Sequence, residues 1–544
     1  MAAGATATHD INIVDLGAVP DDGKDDSPAL QKAIELCQAR PGSRLVFPKG
    51  QYDLMGKGPF TFTQCRDLQI AGNGSLLLFE DLSQGIFFQT CQNVTVEDLI
   101  VDNRKPGFFA GTLTAVSAEN RTADIQVLPN YPLDGNMTIG AWMEYEPNSS
   151  IPSSSGMEAY STPPSKAELI GPQLLRMHLP DVSWMRPGTF LVVRQTVYGQ
   201  CAFATIVGAN YQFRNITVYT AAGMGLVSDR CENILLHKFN VLRREDRHMS
   251  TTADATHFVM CRGTVTLEDC TFEGMGDDGT NIHSYFLPVR RIDDLTLDAG
   301  DKPHRAPLTG DTVEFVGPDI QPFATATLAD VTVDPHTQRV TVKLTAPLST
   351  PLPEGTLMLD ATCLPKTTIT GCTVRSNRAR GFLIATRDVL IERNTFENVS
   401  SHAILVENDT NYWMEAGPTR NVTLRDNKVT HCNYGVAKGA GAIQAYAYSP
   451  GGKNPPAGVH QNLTIEGNIV TGTDGAGIAV LSSSNVKIRN NRLDDCCRRD
   501  KKTPGAIYLE NVSDVEMLDN IIGPLPAGFK PVAEGPGCKN VEIK

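Results

Sequence analysis

KTTITGCTVRSNRARG (366–381) and DVLIERNTFENVSSHAI (388–404) are two versions of one pattern, an offset of 22 in position number. A turn residue opens each. Alternating aliphatics follow, then a polar turn, then a second short strand. The same pattern opens at NVTVEDLIVDN (93), NITVYTAAGMG (215), NILLHKFNV (233), GTVTLEDCTFEGMGDDG (263) and NVTLRDNKVTHCNYG (421). It returns at NLTIEGNIVTGTDGAGI (462), NVKIRNNRLDDC (485) and DVEMLDNII (514), with an offset of 23 from 462 to 485. Short strands at a fixed offset of this size, without helices between them, form a solenoid. The fold class predicted is all-β, a right-handed parallel β-helix whose inward aliphatics stack at the ~4.8 Å spacing of paired strands. The sequons at Asn93, Asn215, Asn421 and Asn462 fall on the turn asparagine of the repeat, so turn chemistry accounts for them without a glycan.

Working outward, a solenoid needs a cap over its open end. DDSPALQKAIELCQARPG (25–42) reads as a capping helix, with Ser27 as N-cap, Pro28 at the first helical position and Leu30, Ile34 and Cys37 as its apolar stripe. Gly42 would end it. The period breaks twice, in segments with strand-like runs punctuated by Gly and Pro. These read as inserted β-barrel or sandwich modules. The organisation expected is cap and first coils at 1–104, a module at 105–193, coils at 194–285, a second module at 286–360, and coils at 361–544.

Composition narrows the function classes. The 544 residues are 41% hydrophobic and 20% charged, enough for a large core. A net charge of −13 and no basic run argue against nucleic acid and anionic membrane as partners, and against a polyanionic substrate. No apolar stretch approaches the roughly 18–20 residues of a membrane span. The start, MAAGATATHD, lacks the features of a signal peptide and reads as following a removed one, which predicts a secreted or periplasmic protein. The 13 cysteines lack zinc-site spacing and read as buried free thiols.

The chemistry concentrates in STTADATHF (250–258) and GMGDDGTNIH (274–283). From Asp254 to Asp277 and Asp278 is one coil of the repeat, the same offset that separates 462 from 485 or one more. Three carboxylates therefore stack on one outer face, with Asn281, His257 and His283 near them. Like charge and burial raise the pKa of one member, leaving an acid beside carboxylates. Glycoside hydrolysis needs that division of labour. Two residues able to hold a water predict inversion, with carboxyl groups about 6.5–9.5 Å apart rather than about 5–5.5 Å. A calcium site of a polysaccharide lyase is the competing use of these oxygens. A non-catalytic carbohydrate-binding β-helix is a third reading. No metal and no cofactor is expected.

Around these residues the chain resembles glycoside hydrolase family 110, the α-1,3-galactosidases. The resemblance rests on GMG (223–225), ADATHF (253–258), FEGMGDDGTNIH (272–283), NRARGFLIAT (377–386) and ILVENDTNYWMEAGPTRNVTLRDN (404–427), and covers most of the chain. It implies a β-helix with two β-barrel insertions and an inverting exo-hydrolase that releases terminal α-1,3-linked galactose. Carried over by motif, Asp277 would be the general acid, and Asp254 with Asp278 would position and deprotonate water. Arg378, Arg380, Glu407, Trp413 and Glu415 would bind the sugar. Arg247, just before the Asp254 motif, is a further candidate. The loop from Ala437 to Val459 has no match in the family pattern. The polygalacturonase-like group also uses three aspartates about one coil apart, but its basic triplet for a uronate has no counterpart here. The glycan expected is a branched blood-group-B type, a linear α-galactosyl epitope or an algal galactan. A homodimer built on strand edges or on the insertions is the one assembly considered.

Overall fold

The computed structural model describes residues 9–133, 136–147, 149–154, 157–159, 165–435, 439–450, 454–499 and 503–544. The first residues of the chain, parts of the Ser/Pro-rich stretch at 148–165 and parts of the unmatched loop at 437–459 lie outside these.

Three columns of stacked residues show the solenoid directly. In one, Thr256, Thr280, Phe382, Ile404, Ile443, Ile478, Ile507 and Val532 are successive parallel partners. In the second, Val265, Thr367, Val389, Val422, Leu463, Val486, Val515 and Val541 follow one another. The third runs Phe272, Val374, Phe396, Val429, Val470, Leu493 and Ile522. Each column is one face of a parallel β-helix, and the three close around a single apolar core from Ile11 to Met517. Alternation decides which side chains enter: along Asn421–Arg425, Val422 and Leu424 are buried while Thr423 and Arg425 are only partly so.

The corners explain the turn asparagines. Asn93, Asn215, Asn421, Asn462 and Asn485 all take positive φ, between 51° and 59°, a conformation Asn tolerates better than most residues. Their amides bond from coil to coil, as in Asn462 to Asn421 at 2.9 Å and Asn485 to Asn462 at 2.7 Å. A second, buried ladder runs Asn394, Asn427, Asn468, Asn491 and Asn520, each donating to the next side-chain oxygen at 2.9–3.0 Å.

The cap is the helix Ser27–Ala39, with Leu30, Ile34 and Cys37 buried beneath it. Its N-cap is Asp26 rather than Ser27. The Ser27 hydroxyl is used elsewhere, accepting from Gly56 N at 2.7 Å, and Asp26 accepts from Val19 N and Asp53 N, tying the cap to the first coils. All 13 cysteines are free, and all but Cys201 and Cys538 are buried.

Two antiparallel modules leave the solenoid. The first is an eight-stranded sheet that includes Phe108–Ser117, Thr122–Val127, Ala141–Glu144 and Phe190–Arg194, with its own core around Phe109, Trp142 and Met177. The second grows from Thr280–Pro288, a strand that begins in a coil and ends paired antiparallel with Leu357–Asp360. Its core includes Val313, Phe315, Val342 and Met358. Both modules meet the β-helix beside the same few turns.

Candidate active site

Three consecutive turns, around Thr252–Asp254, Gly276–Gly279 and Asn377–Gly381, stack at one corner of the β-helix. Ala255 N donates to Asp278 O at 2.9 Å, and Gly279 N donates to Arg380 O at 3.0 Å. With Thr256 opposite Thr280 and Thr280 opposite Phe382, the register puts Asp254, Asp278 and Arg380 in one column. The glycines of GMGDDG are there because the turns touch. A Cβ on Gly276 would lie 2.4 Å from Thr252 O, and one on Gly279 would lie 2.4 Å from Gly381 O.

The first module holds two of these turns from outside. Arg194, fully buried at the end of its strand, donates from Nη1 to Thr252 O at 2.8 Å and to Gly276 O at 3.0 Å. Burial lowers its pKa to about 10, so it stays cationic at neutral pH. The carbonyls just ahead of Asp254 and Asp277 are thus tied to one guanidinium.

Asp254, Asp277 and Asp278 are at most 5% exposed, and one carboxylate oxygen from each lies within 4.8 Å of the others. Their nearest oxygens thus lie closer than the about 6.5–9.5 Å expected between the carboxyl groups of an inverting pair. Arg380 grips Asp278 through its backbone N at 2.8 Å and Nη2 at 2.9 Å. Arg378 Nη1 reaches Asp277 at 3.4 Å. Asp254 accepts from Asp278 N at 3.1 Å and meets His257 Nδ1 at 2.7 Å. Burial first, and then the neighbouring Asp277 charge, pushes Asp254 well above the usual carboxylate range. Burial pushes Asp278 up as well, while Arg380 pulls it back.

A chain of two histidines bears on where one proton sits. His283 Nδ1 lies 2.7 Å from Ser284 O, a pure acceptor, so Nδ1 carries hydrogen. Neutral His283 then offers the lone pair of Nε2 to His257 Nε2 at 2.9 Å, which makes His257 the donor in that bond. With both histidines neutral, His257 Nδ1 is left bare toward Asp254, and the proton between them is assigned to Asp254. Burial lowers the pKa of both histidines, which agrees with this assignment.

The remaining candidates divide. Asn281 donates to Glu415 at 3.3 Å, and His283 Nε2 lies 3.6 Å from the same carboxylate, so these residues join the cluster. Glu415 pairs with Tyr285, folding the segment that carries Trp413 back over the strand of the site. Trp413 itself is 44% exposed. Glu407 sits on the next coil, its pKa raised to about 8 by burial against the opposing charge of Arg380. Arg247 does not join: it is bound to Asp102 at 2.6 Å, to Thr220 and to Asn103 O, and so secures the first coils. Its nearness to Asp254 in sequence spans a loop that leads elsewhere.

Three residues at the site went unread in the sequence. Glu158 of the first module holds Arg378 with two bonds, at 2.9 and 2.7 Å, and so acts on Asp277 at one remove. Arg194 and Tyr198 belong to the same module and the loop after it. Glu158 lies in the expected interruption, whereas Arg194 and Tyr198 lie in the first residues expected to form the next coils, where the module's last strand ends at Arg194 and the coil strand begins only at Phe203, so no coil spacing reaches them. Two clusters among the described residues bring ionisable ligand atoms within 4.8 Å, this one and Asp311–Asp360–Cys363. In each an arginine supplies the positive charge, Arg380 here and Arg262 on Asp311 at 2.6 Å there.

Three buried carboxylates beside an arginine are a set of groups that glycoside hydrolysis can use. Comparison with known proteins agrees. Residues 449–524 match the family model described as a right handed beta helix region. The chain is 28% identical to alpha-1,3-galactosidase A of Shewanella woodyi, over 89% of this chain and 86% of that protein. It is 27% identical to alpha-1,3-galactosidase A of Bacteroides fragilis, over 90% and 88%, and 27% identical to alpha-1,3-galactosidase B of Bacteroides thetaiotaomicron, over 85% and 82%. Among solved structures, the Agl-KA catalytic domain overlays 98% of this chain and 69% of its own at 13% identity and a TM-score of 0.46. The chain is a right-handed β-helix glycoside hydrolase, and its resemblance to the α-1,3-galactosidases of family 110 is borne out along nearly its whole length.

Proposed function

We propose that this enzyme removes terminal α-1,3-linked galactose from glycans, acting from the chain end and inverting the anomeric configuration. The observation that carries the reading is the stack of Asp254, Asp277 and Asp278 on consecutive turns, in a chain whose relatives bear the name α-1,3-galactosidase. Asp277 serves as general acid. Its contact with Arg378, at 3.4 Å, is longer than those that tie down Asp254 and Asp278. On sugar binding the proton held at Asp254 in the free site moves to Asp277, and the glycosidic bond breaks as the leaving oxygen takes it from there. Water held between Asp254 and Asp278 adds to the anomeric carbon, and its proton passes to that pair.

Inversion draws support from bonding rather than from separation. A nucleophilic carboxylate needs an uncommitted oxygen aimed at the anomeric carbon. Asp278 is gripped at both oxygens by Arg380, and Asp254 is engaged by His257 and Asp278 N. Both suit the holding of water better than attack. The usual ruler describes two acids on opposite sides of a sugar ring, whereas these share one corner of a solenoid. Arg378, Arg380, Glu407, Glu415 and Trp413 provide hydroxyl contacts and an apolar platform for the sugar. Glycans with terminal galactose are met outside the cell, so the proposal includes export to the periplasm or medium. No helix among the described residues is long and apolar enough to cross a membrane.

Proton NMR of the nascent product from an α-1,3-galactobioside tests the reading. β-Galactose should appear first and mutarotate afterwards. α-Galactose as first product would end the inverting assignment, and no galactose from any α-galactoside would end the galactosidase reading. Asp277→Asn should lower turnover of an unactivated substrate by about 10²–10⁴-fold, the usual weight of general acid catalysis.

A further inference from the structure

The loop between Phe190–Arg194 and Phe203–Val218 brings a tyrosine to the acid cluster. Its backbone is tied down on both sides of Tyr198. Thr252 Oγ1 donates to Val197 O at 3.0 Å, and Gly199 N donates to Ala222 O at 2.9 Å. The contact is close: a Cβ on Gly199 would lie 2.6 Å from Ala222 O, and one on Gly223 would lie 2.3 Å from Gly199 O. Val197 is thereby bonded to the residue two before Asp254, and the loop lies across the turn one coil below it. Despite this anchoring the Tyr198 side chain is 54% exposed. Burial raises the phenol pKa, and the charges of Asp277, Asp254 and Asp278 raise it further, so the phenol keeps its proton.

A half-exposed aromatic residue on a loop anchored beside the acid-bearing turns has the form of a sugar platform. Its ring offers an apolar face to the C–H surface of a pyranose, and its hydroxyl offers a donor to a sugar oxygen. We propose that Tyr198 is a substrate-contacting residue, its ring covering the pyranose that enters the acid cluster and its phenol bonding one of that sugar's oxygens. This rests on the glycosidase reading but not on which sugar is cleaved. It gives the first module a direct part in specificity, since its return strand carries the loop.

The test is binding of free D-galactose, D-glucose and D-galacturonate, titrated into wild type, Tyr198→Phe and Tyr198→Ala and followed by saturation-transfer difference NMR. Circular dichroism checks that each variant is folded. For the sugar that wild type binds, Tyr198→Ala should weaken affinity about tenfold or more, and Tyr198→Phe by about threefold, keeping the ring and losing one hydrogen bond. Equal affinity in wild type and Tyr198→Ala overturns the inference, as does wild type binding none of the three sugars. Wild type binding glucose or galacturonate in place of galactose would overturn the galactosidase reading instead. The comparison at Tyr198 would then still be decided on the sugar that binds.

Discussion

At the scale of single residues, Asp254 shows what the site costs the fold. Its folded pKa is raised while the unfolded value stays near 3.9. From about pH 4 upward the folded state therefore binds a proton that the unfolded chain has released, and stability falls as pH rises through the folded pKa. Asp254→Asn removes that loss. Its amide can still accept from Asp278 N, and its NH₂ can donate to the bare Nδ1 of His257. The variant should be inactive yet melt about 1–2 °C higher than wild type at pH 7.5, with the difference smaller at pH 4.5. Melting curves at both pH values check this, and a lower Tm at pH 7.5 would contradict the proton placement. Glu407 gives a second case. With a pKa of about 8 it is protonated at pH 7, so Glu407→Gln should bind galactose within about threefold of wild type there, and Glu407→Ala about tenfold more weakly. Between pH 7 and 9 the wild-type KM should shift, whereas that of the glutamine variant should stay flat.

At the scale of elements, the two asparagine ladders look alike in sequence and differ in energetics. Asn468 is fully buried, takes two bonds from Asn427 on its oxygen, and donates to Leu424 O and Asn491. Asn468→Ala strands buried donors and an acceptor, and should cost about 2–4 kcal/mol. Asn462 is exposed and has φ of 59°, which glycine accepts, so Asn462→Gly should change stability by less than about 1 kcal/mol. Urea denaturation of the two variants separates the cases, and equal midpoints would mean the buried ladder does little. The turn asparagines were legible because a corner imposes the same φ in every coil, and the inward aliphatics because strand alternation fixes them. The acid pair was legible for the same reason, as one full coil carries Asp254 onto Asp278. Arg247 misled because adjacency in sequence substitutes for adjacency in space only within a coil. Its loop folds back to Asp102, a partner 145 residues away. Glu158, in a Ser/Pro-rich stretch without period, gave no signal of any kind.

At the scale of the whole molecule, the first module is structurally part of the proposed catalytic site. A β-helix alone presents its turns to solvent, and their peptide groups can exchange partners with water. Here Arg194 closes two of those turns from above, Glu158 sets Arg378 against Asp277, and the loop that carries Tyr198 is bonded to Thr252. The solenoid supplies vertical spacing, and the module supplies lateral constraint. Loss of that constraint should injure catalysis more than it injures folding. Arg194→Met fills much of the same volume but leaves Thr252 O and Gly276 O without their donor. The carboxylates that follow would then drift, and a displacement of about 1 Å is enough to lower kcat by about 10²-fold. The far-UV spectrum should be unchanged, because the two columns of strands away from this corner are untouched. Amide exchange should quicken around 253–255 and 276–279 and nowhere else in the β-helix. Arg176→Met is the control, on the same module but half-exposed in a pair with Asp124 at 2.8 Å, and it should leave kcat within about twofold. If Arg194→Met kept wild-type kcat and exchange, the module would be a passenger on the solenoid, and the turns would owe their geometry to their glycines alone.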